Sequence, residues 1–273
     1  MQTISSILIS DFTTAVWRNY AEMGRCFPWR ETSDPYAVMV SEFMLQQTQT
    51  NRVVSKYEAW LAHFPDVQSV ANAALSEVLS LWNGLGYNRR AKFLHESCRK
   101  ICAEYGGVLP CDAQLLDALP GIGSYTARAV IAFAFNKAQV FIETNIRSAF
   151  IDFFFSDAVS VSDAEILPLI EQTLDRERPR EWYYALMDYG VAVKRKAENP
   201  SRRSSSYAKQ SKFEGSLRQA RGAILRQLSR NGTISLTQIA AAEHIDMERL
   251  FSAAQKLVEE QLIRKSGEAY SFC

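Results

Sequence analysis

A Pro-Gly-x-Gly segment between two apolar helical stretches sets the strongest limit on how this chain can fold. The segment reads LPGIG at 119–123, after a stretch at 113–119 and before another at 124–135. Proline ends the first helix, and two glycines one residue apart let the backbone turn sharply and approach a ligand closely. The second helix then begins with N–H groups that can bind phosphate oxygens. The segment therefore predicts two helices joined by a tight, anion-binding turn.

The rest of the chain also has a helical pattern. Apolar residues recur at helical spacing over 67–79 and 94–102, and no alternating run is long enough for a central sheet. Capping residues precede further helical segments that begin near Tyr36 and Ala164. With only 12 glycines and 8 prolines in 273 residues, turns are few. We therefore predict an all-α fold.

Composition and cysteine usage exclude several classes of protein. No apolar run reaches the roughly 18 residues of a membrane span, and the start of the chain lacks the basic region and cleavage site of a signal peptide. We expect a cytoplasmic protein without a membrane partner. Five cysteines without paired spacing argue against a disulfide framework. The three histidines complete no ligand set, so no metal site is predicted.

Charge is distributed unevenly along the chain. The net charge is only +1, but residues 194–230 carry 11 basic side chains against Glu198 and Glu214. A solvated linker and a phosphate-binding segment both fit this run, because clustered Lys and Arg release counterions from nucleic acid. The composition NPSRRSSS marks a domain boundary. We predict a domain at 1–200, a basic linker at 201–216 and a second domain at 217–273.

The last 60 residues have the pattern of a small separate unit. Helices are predicted at 217–229, 235–243 and 247–261, followed by a hairpin at 262–272. Three helices followed by a two-stranded wing resemble the winged helix-turn-helix family. If this unit bound DNA, its third helix would enter the major groove. The mixed charges of that helix weaken the DNA-binding interpretation, and protein binding stays open.

Several separated motifs resemble one family of DNA repair enzymes. LPGIG with its flanking helices resembles the helix–hairpin–helix motif of the DNA glycosylase superfamily that includes endonuclease III and the MutY-type adenine glycosylases. FPWR at 27–30, SEFMLQQTQ at 41–49 and LWNGLGY at 81–87 look like the MutY branch. LMDYG at 186–190 is similar to the segment before that family's iron–sulfur loop. The resemblance covers about residues 10–195 and implies a two-lobed helical glycosylase core.

The resemblance implies catalytic roles for four residues. Glu42 would be the general acid that protonates the leaving base, which requires a dry pocket that raises its pKa. Glu143 stands where the family has its catalytic aspartate, and Asn145 would hold this carboxylate or the sugar. Tyr125 occupies the position of the Schiff-base lysine of bifunctional members, so we expect hydrolysis without efficient strand cleavage.

The glutamate at position 143 departs from the family pattern. A carboxylate can stabilise an oxocarbenium-like sugar, but glutamate is longer than aspartate by one methylene, about 1.5 Å. A misplacement of that size can cost on the order of a hundredfold in rate. A shifted pocket, a different substrate and weak catalysis are the alternatives that follow.

The same resemblance implies a set of DNA contacts. Four residues would enter the duplex and fill or wedge the stack around a flipped nucleotide: Gln46, Gln47, Thr48 and Tyr87. Trp29 and Arg30 would line the base pocket, with an ion pair as the alternative role of the arginine. Phosphate contacts are expected from the hairpin and the basic run, at Gly121, Gly123, Ser124, Lys194 and Arg195.

Two family features have no counterpart in this sequence. No cysteine lies between Gly190 and Cys273, so the iron–sulfur loop is missing and no cofactor is expected. A monovalent cation at the hairpin stays open. Where MutY enzymes carry a domain that reads 8-oxoguanine, this tail resembles a winged helix, so it gives no support for that opposing base.

We therefore predict a monofunctional, monomeric DNA glycosylase of base excision repair that hydrolyses the N-glycosidic bond of a flipped base. Its partner would be double-stranded DNA with a mispaired or damaged base, and adenine in a mispair is favoured. Two alternatives stay open. One is a glycosylase for another base, such as uracil or thymine opposite guanine or a damaged base. The other is a non-catalytic DNA-binding relative, including a winged-helix regulator.

Overall fold

The computed structural model describes residues 5–196, 198–209 and 212–273. The chain forms two compact units, each assembled from segments that are distant in sequence. The first unit comprises Met1–Val38, Cys111–Asp117 and Ile122–Lys209, and the second comprises Met39–Pro110, Ala118–Gly121 and Gln210–Cys273. None of the described helices combines the length and the apolar character that crossing a bilayer requires.

The first unit is helical around an aromatic core. Phe12 lies at its centre, with ring centroids 4.8 Å from Phe150 and 6.3 Å from Trp182. Short 3-10 turns occur at Pro28–Arg30 and Pro200–Arg203. The longer helices are α1 (Ser6–Met23), the start of α2 (Pro35–Leu45), α7 (Ala113–Asp117), α8 (Ser124–Phe135), α9 (Thr144–Phe154), α10 (Asp163–Thr173) and α11 (Pro179–Lys196).

Both capping predictions in this unit are confirmed. The Asp34 carboxylate accepts hydrogen bonds from the backbone N–H groups of Tyr36 and Ala37, so α2 begins at Pro35. Ser162 and Glu165 form a reciprocal capping box at the start of α10.

The second unit contains the end of α2 and a set of shorter helices. These are α3 (Thr50–His63), α4 (Val67–Asn72), α5 (Leu75–Trp82) and α6 (Arg89–Tyr105). The helical spacing of apolar residues over 67–79 is divided between α4 and α5, because the backbone is extended at Ala73 and Ala74. A ring nitrogen of His95 on α6 lies 3.1 Å from the Ala73 carbonyl oxygen, so the break places that polar group against a hydrogen-bonding partner.

The C-terminal segment of the second unit has the predicted order of helices and hairpin. It consists of α12 (Leu217–Asn231), β1 (Thr233–Ser235), α13 (Leu236–Glu243), α14 (Met247–Glu259), β2 (Ile263–Ser266) and β3 (Ala269–Phe272). Strand β3 pairs antiparallel with both β2 and β1. The three-residue strand β1 was not predicted. Domain boundaries at 200 and 217 stay a prediction.

Much of the predicted basic linker is packed against the first unit or paired. Arg203 donates to the carbonyl oxygens of Phe155 (2.5 Å) and Ser156 (2.9 Å), beyond the end of α9. Ser204 forms a bridge with Val161. Residues 201–204 are therefore part of a folded element, whereas Gln210 and Ser211 lie outside the described residues.

Candidate active site

The Glu143 carboxylate is held at the N-terminus of helix α9. Its Oε1 accepts hydrogen bonds from the backbone N–H groups of Asn145 (2.7 Å) and Ile146 (2.8 Å). Its Oε2 accepts from the side-chain Nδ2 of Asn145 at 3.2 Å. The carboxylate thus caps the helix and satisfies two of its first backbone N–H groups. Helix N-termini favour negative charge, so this placement suits an anionic carboxylate.

Lys194 completes a chain of contacts that leads to Glu143. Its Nζ donates to Oδ1 of Asn145 at 2.9 Å, and the amide of Asn145 in turn reaches the carboxylate. Burial lowers the pKa of Lys194 from its ordinary value, and the Glu143 carboxylate opposes that shift. The sequence predicted Lys194 as a phosphate contact, but in the structure its half-buried ammonium donates to the side chain of Asn145. The predicted partner Arg195 is exposed at the end of α11.

Gly190 allows helix α11 to approach the start of α9. A Cβ atom at Gly190 would lie 2.6 Å from the carbonyl carbon of Asn145 and still closer to its oxygen. Only glycine fits this contact without a shift of one helix, so Gly190 fixes how near Lys194 comes to Asn145.

Tyr125 lies one residue inside helix α8 and packs against an aromatic stack. Its ring contacts Phe141 edge to face, with centroids 5.6 Å apart. Phe141 stacks on Tyr183 at 3.8 Å. A phenol in this position cannot form a Schiff base. Burial raises the pKa of Tyr183 well above its ordinary value, so it stays a neutral hydrogen-bond donor to the Gln139 carbonyl oxygen.

Arg30 belongs to a buried ion-pair network, and Trp29 precedes it in the same 3-10 turn. The guanidinium of Arg30 donates two hydrogen bonds to Asp188, at 2.8 and 2.9 Å, and Arg25 binds the same carboxylate. Burial alone would raise the pKa of Asp188, but the hydrogen bonds and charges of the two arginines outweigh it and lower that pKa. Trp29 is buried and stacks on Phe27 at 4.9 Å. The structure thus supports the ion-pair alternative for Arg30, and its role in a base pocket stays a prediction.

In the second unit, Glu42 is almost completely buried. It lies in α2 with 6% of its surface exposed, between the buried Ser41 and Phe43. A carboxyl group in such surroundings meets the requirement for a dry environment that the general acid imposes.

Arg90 joins two loops that the sequence predicts to enter DNA. The sequence did not predict this role for Arg90. The two loops are the 46–49 loop between α2 and α3 and the 83–88 loop between α5 and α6. The guanidinium donates to acceptors on the α2 end and both loops: the carbonyl oxygens of Phe43 (2.7 Å), Met44 (3.0 Å), Gln46 (2.5 Å) and Gly86 (3.0 Å), and Oγ1 of Thr48 (3.0 Å). Burial lowers the pKa of Arg90 to about 10, so it stays charged at neutral pH. Its position on the buried stripe of α6 was the signal in the sequence.

Each of these loops presents a residue with left-handed backbone geometry. Gln47 has φ 53° and is exposed, and Tyr87 has φ 48° with 37% of its surface exposed. Non-glycine residues rarely adopt this conformation, and they cluster at functional sites. Gln46 and Thr48 are half-buried beside Gln47. The loops therefore place an amide and a phenol at the surface on a backbone fixed by Arg90.

The two glycines of the hairpin, Gly121 and Gly123, lie in different local surroundings. In the second unit, Gly121 has φ 72°, and a Cβ there would lie 2.5 Å from the Cβ of Phe93. In the first unit, Gly123 precedes α8, provides no side-chain cap and has open space around its Cα. Ser124 begins that helix and is exposed. This geometry suits phosphate binding by the helix N-terminus.

The residues of this chain do not fit an iron–sulfur cluster in the place where the family carries it. Helix α11 continues to Lys196, and no cysteine lies in the described residues from Gly190 to Phe272. Within the described ranges, no group of three or more His, Cys, Asp or Glu side chains could hold a metal ion. The absence of a cofactor stays a prediction.

Comparison with known proteins agrees with this arrangement. Residues 40–172 match the family described as HhH-GPD superfamily base excision DNA repair protein. The adenine DNA glycosylase of Mycobacterium tuberculosis is 38% identical over 192 residues, which are 68% of this chain and 62% of that protein. The thymine-DNA glycosylase of Aeropyrum pernix is 38% identical over 120 residues, 44% of this chain and 54% of that protein. The solved structure of a thermostable thymine-DNA glycosylase matches with a TM-score of 0.61 at 24% identity, over 68% of this chain and 87% of that chain.

Residues 40–172 are therefore a domain of the HhH-GPD superfamily. The chain is 36–44% identical to several adenine DNA glycosylases, which confirms the resemblance predicted from the motifs. The structural match confirms the helical glycosylase fold. The chain spans 62% of the length of the M. tuberculosis relative.

Proposed function

We propose that this protein is a monofunctional DNA glycosylase of base excision repair, with adenine in a mispair as the favoured target. The observation that carries the proposal is the buried Glu42, in a helix whose end Arg90 ties to the 46–49 and 83–88 loops. A buried carboxyl beside two surface loops suits protonation of a base that has left the duplex.

The reaction divides two roles between two carboxyl groups. Glu42 donates its proton to the leaving base as the N-glycosidic bond breaks and its electrons pass to the base. The Glu143 carboxylate stabilises the positive charge that develops on the sugar. Water then adds to C1′ and loses a proton, which leaves an abasic site and the free base. Asn145 and Lys194 hold Glu143 in place for this step.

Tyr125 in place of an amine nucleophile supports hydrolysis without a covalent sugar adduct. The proposal includes double-stranded DNA as the partner, a monomeric protein and no resident cofactor.

A single-turnover base-release assay tests the proposal. Labelled duplexes would carry A opposite 8-oxoguanine, G or C, and U or T opposite G, with alkali used to cleave abasic sites. Release of adenine is expected from the wild-type protein, and Glu42→Gln and Glu143→Gln should each lower its rate at least about a hundredfold. Glu58→Gln, which changes an exposed glutamate of α3, is the matched control and should leave the rate unchanged. Binding without any release would refute the enzyme assignment.

A thymine or uracil glycosylase is the second candidate. It is favoured by the similarity to the thymine-DNA glycosylase of Aeropyrum pernix. Release of T or U opposite G, without release of A, would establish this alternative in the same assay.

A further inference from the structure

Two cations on helix α3 meet at one glycine of the 83–88 loop. Nη2 of Arg52 donates a hydrogen bond to the carbonyl oxygen of Gly84. A Cβ atom built on Gly84 would lie 3.5 Å from Cε of Lys56 and 4.0 Å from its Nζ, so this lysine reaches the same residue. Gly84 itself has φ 96°, a conformation that residues with a side chain rarely adopt. Both cations therefore lie against the backbone of the loop that carries Tyr87.

The packing of α3 places these two side chains along one edge of the helix. The buried stripe of the helix consists of Val53, Tyr57 and Trp60. Arg52 and Lys56 each precede a member of that stripe and are separated by four residues, so they are neighbours on the helix surface. Arg52 is exposed and Lys56 is half-buried. The pair thus borders the buried stripe on the side where the loop lies.

The surroundings of this pair are electropositive. No acidic residue occurs in 43–57 or in 78–95, the segments that contain both loops and the turns beside them. Two other cations of these segments have partners: Arg90 donates to buried carbonyl groups, and Lys92 donates to the carbonyl oxygen of Glu260. Among the described residues, neither Arg52 nor Lys56 has an ion-pair partner. Two positive charges therefore lie beside the loop without a carboxylate to neutralise them.

We propose that Arg52 and Lys56 form a phosphate-binding site that holds one DNA strand beside the point where Tyr87 enters the duplex. This inference rests on the proposed function, which supplies the DNA. Four residues of α-helix advance about 6 Å along the helix axis, close to the roughly 7 Å over which one strand presents two successive phosphates. Each cation can therefore bind its own phosphate. Such contacts fix the position of the duplex and carry no sequence preference.

The test compares Arg52→Gln, Lys56→Gln and the double variant with Arg99→Gln. Arg99 is an exposed arginine of α6, about 15 Å along that helix from its start. Its replacement removes the same charge far from the loop. Equilibrium binding would be measured over a range of salt concentrations, with an undamaged duplex and with one that carries an uncleavable abasic analogue. Single-turnover base release at saturating DNA would be measured on the same proteins.

Each single variant should bind both duplexes roughly eightfold more weakly at 0.1 M salt, because one phosphate contact contributes about 0.9 to the slope of log affinity against log salt. The double variant should lose about 1.8 from that slope. Arg52→Lys should keep the wild-type slope, since it keeps the charge. Base release at saturating DNA should stay at the wild-type rate in all these variants, and Arg99→Gln should change neither quantity.

An unchanged salt slope in the double variant would overturn the inference. A slower release at saturating DNA with an unchanged slope would show that Arg52 only holds the loop through Gly84, and it would overturn the inference as well. Because binding needs no catalysis, the two proposals can fail separately. The expected loss of slope in a protein that releases no base would support the phosphate site and refute the proposed function. Thermal unfolding verifies that each variant is folded, and Lys56→Gln decides the question if Arg52→Gln is not.

Discussion

Replacing Gly190 by alanine should impair both the stability and the chemistry of this protein, although alanine is normally the better helix residue. The new Cβ would lie 2.6 Å from the carbonyl carbon of Asn145. Carbon atoms in ordinary contact are about 3.5–4.0 Å apart. The neighbouring atom is backbone, so the start of α9 and the middle of α11 must separate by about 1 Å.

The expected losses of stability and rate follow from the displacement of Asn145. Overpacking of this kind costs about 1–3 kcal/mol, against which alanine returns about 1 kcal/mol of helix propensity. Asn145 carries the contact between Lys194 and Glu143, so its displacement misplaces the carboxylate. A misplacement of about 1 Å can lower a rate by on the order of a hundredfold. The rate should therefore suffer more than the stability.

Gly222→Ala is the matched control, because Gly222 lies inside α12 with no atom within 4 Å of its added Cβ. It should stabilise the protein by up to about 1 kcal/mol and leave base release unchanged. Urea denaturation and single-turnover base release would be measured on both variants. If Gly190→Ala kept the wild-type rate and stability, the close approach of α11 to Asn145 would not position the carboxylate.

Five further variants test other parts of the structure. Arg90→Met leaves several buried carbonyl groups without their donor and should cost at least about 3 kcal/mol in urea denaturation, whereas Arg90→Lys should cost less because it keeps a charged donor. Asp188→Asn breaks a buried ion pair and should cost about 3–5 kcal/mol at pH 7. Because the folded pKa of Asp188 is lowered, its stabilisation is complete above the unfolded value of about 4 and disappears as pH falls through the folded pKa; a constant difference across this range would contradict the ion-pair assignment. Lys194→Met should slow base release about tenfold with little loss of DNA affinity, whereas Arg195→Met should weaken binding and spare the rate; the reverse pattern would return Lys194 to a phosphate contact.

Local signals in the sequence predicted helices well. Ser235 is the N-cap of α13 and forms a capping box with Gln238, as expected for a serine before a helix. The three C-terminal helices lie within two residues of their predicted bounds. Strand β1 was missed because three residues carry no alternation, and its pairing partner β3 lies more than 30 residues later in the chain.

The sequence predicted the burial of one site residue, but it did not predict which contacts other site residues make. Glu42 was expected to be at least partly buried, and its exposure of only 6% confirms that prediction. Lys194 was predicted as a phosphate contact in the basic run, since charge clustering does not show which side of α11 a lysine lies on. The pairing of Arg30 with Asp188 joins residues 158 positions apart, and no local pattern encodes such a contact.

The order of segments in the second unit has a consequence for synthesis. Helices α5 and α6 leave the ribosome long before α12, because residues 111–209, which contain most of the first unit, lie between them. At about 5–20 residues per second, that delay is several seconds or more. During this time Ser80 and Lys92 lack their hydrogen-bonding partners Ser229 and Glu260. A nascent chain thus contains Glu42 and Glu143 well before the C-terminal segment can pack against α5 and α6.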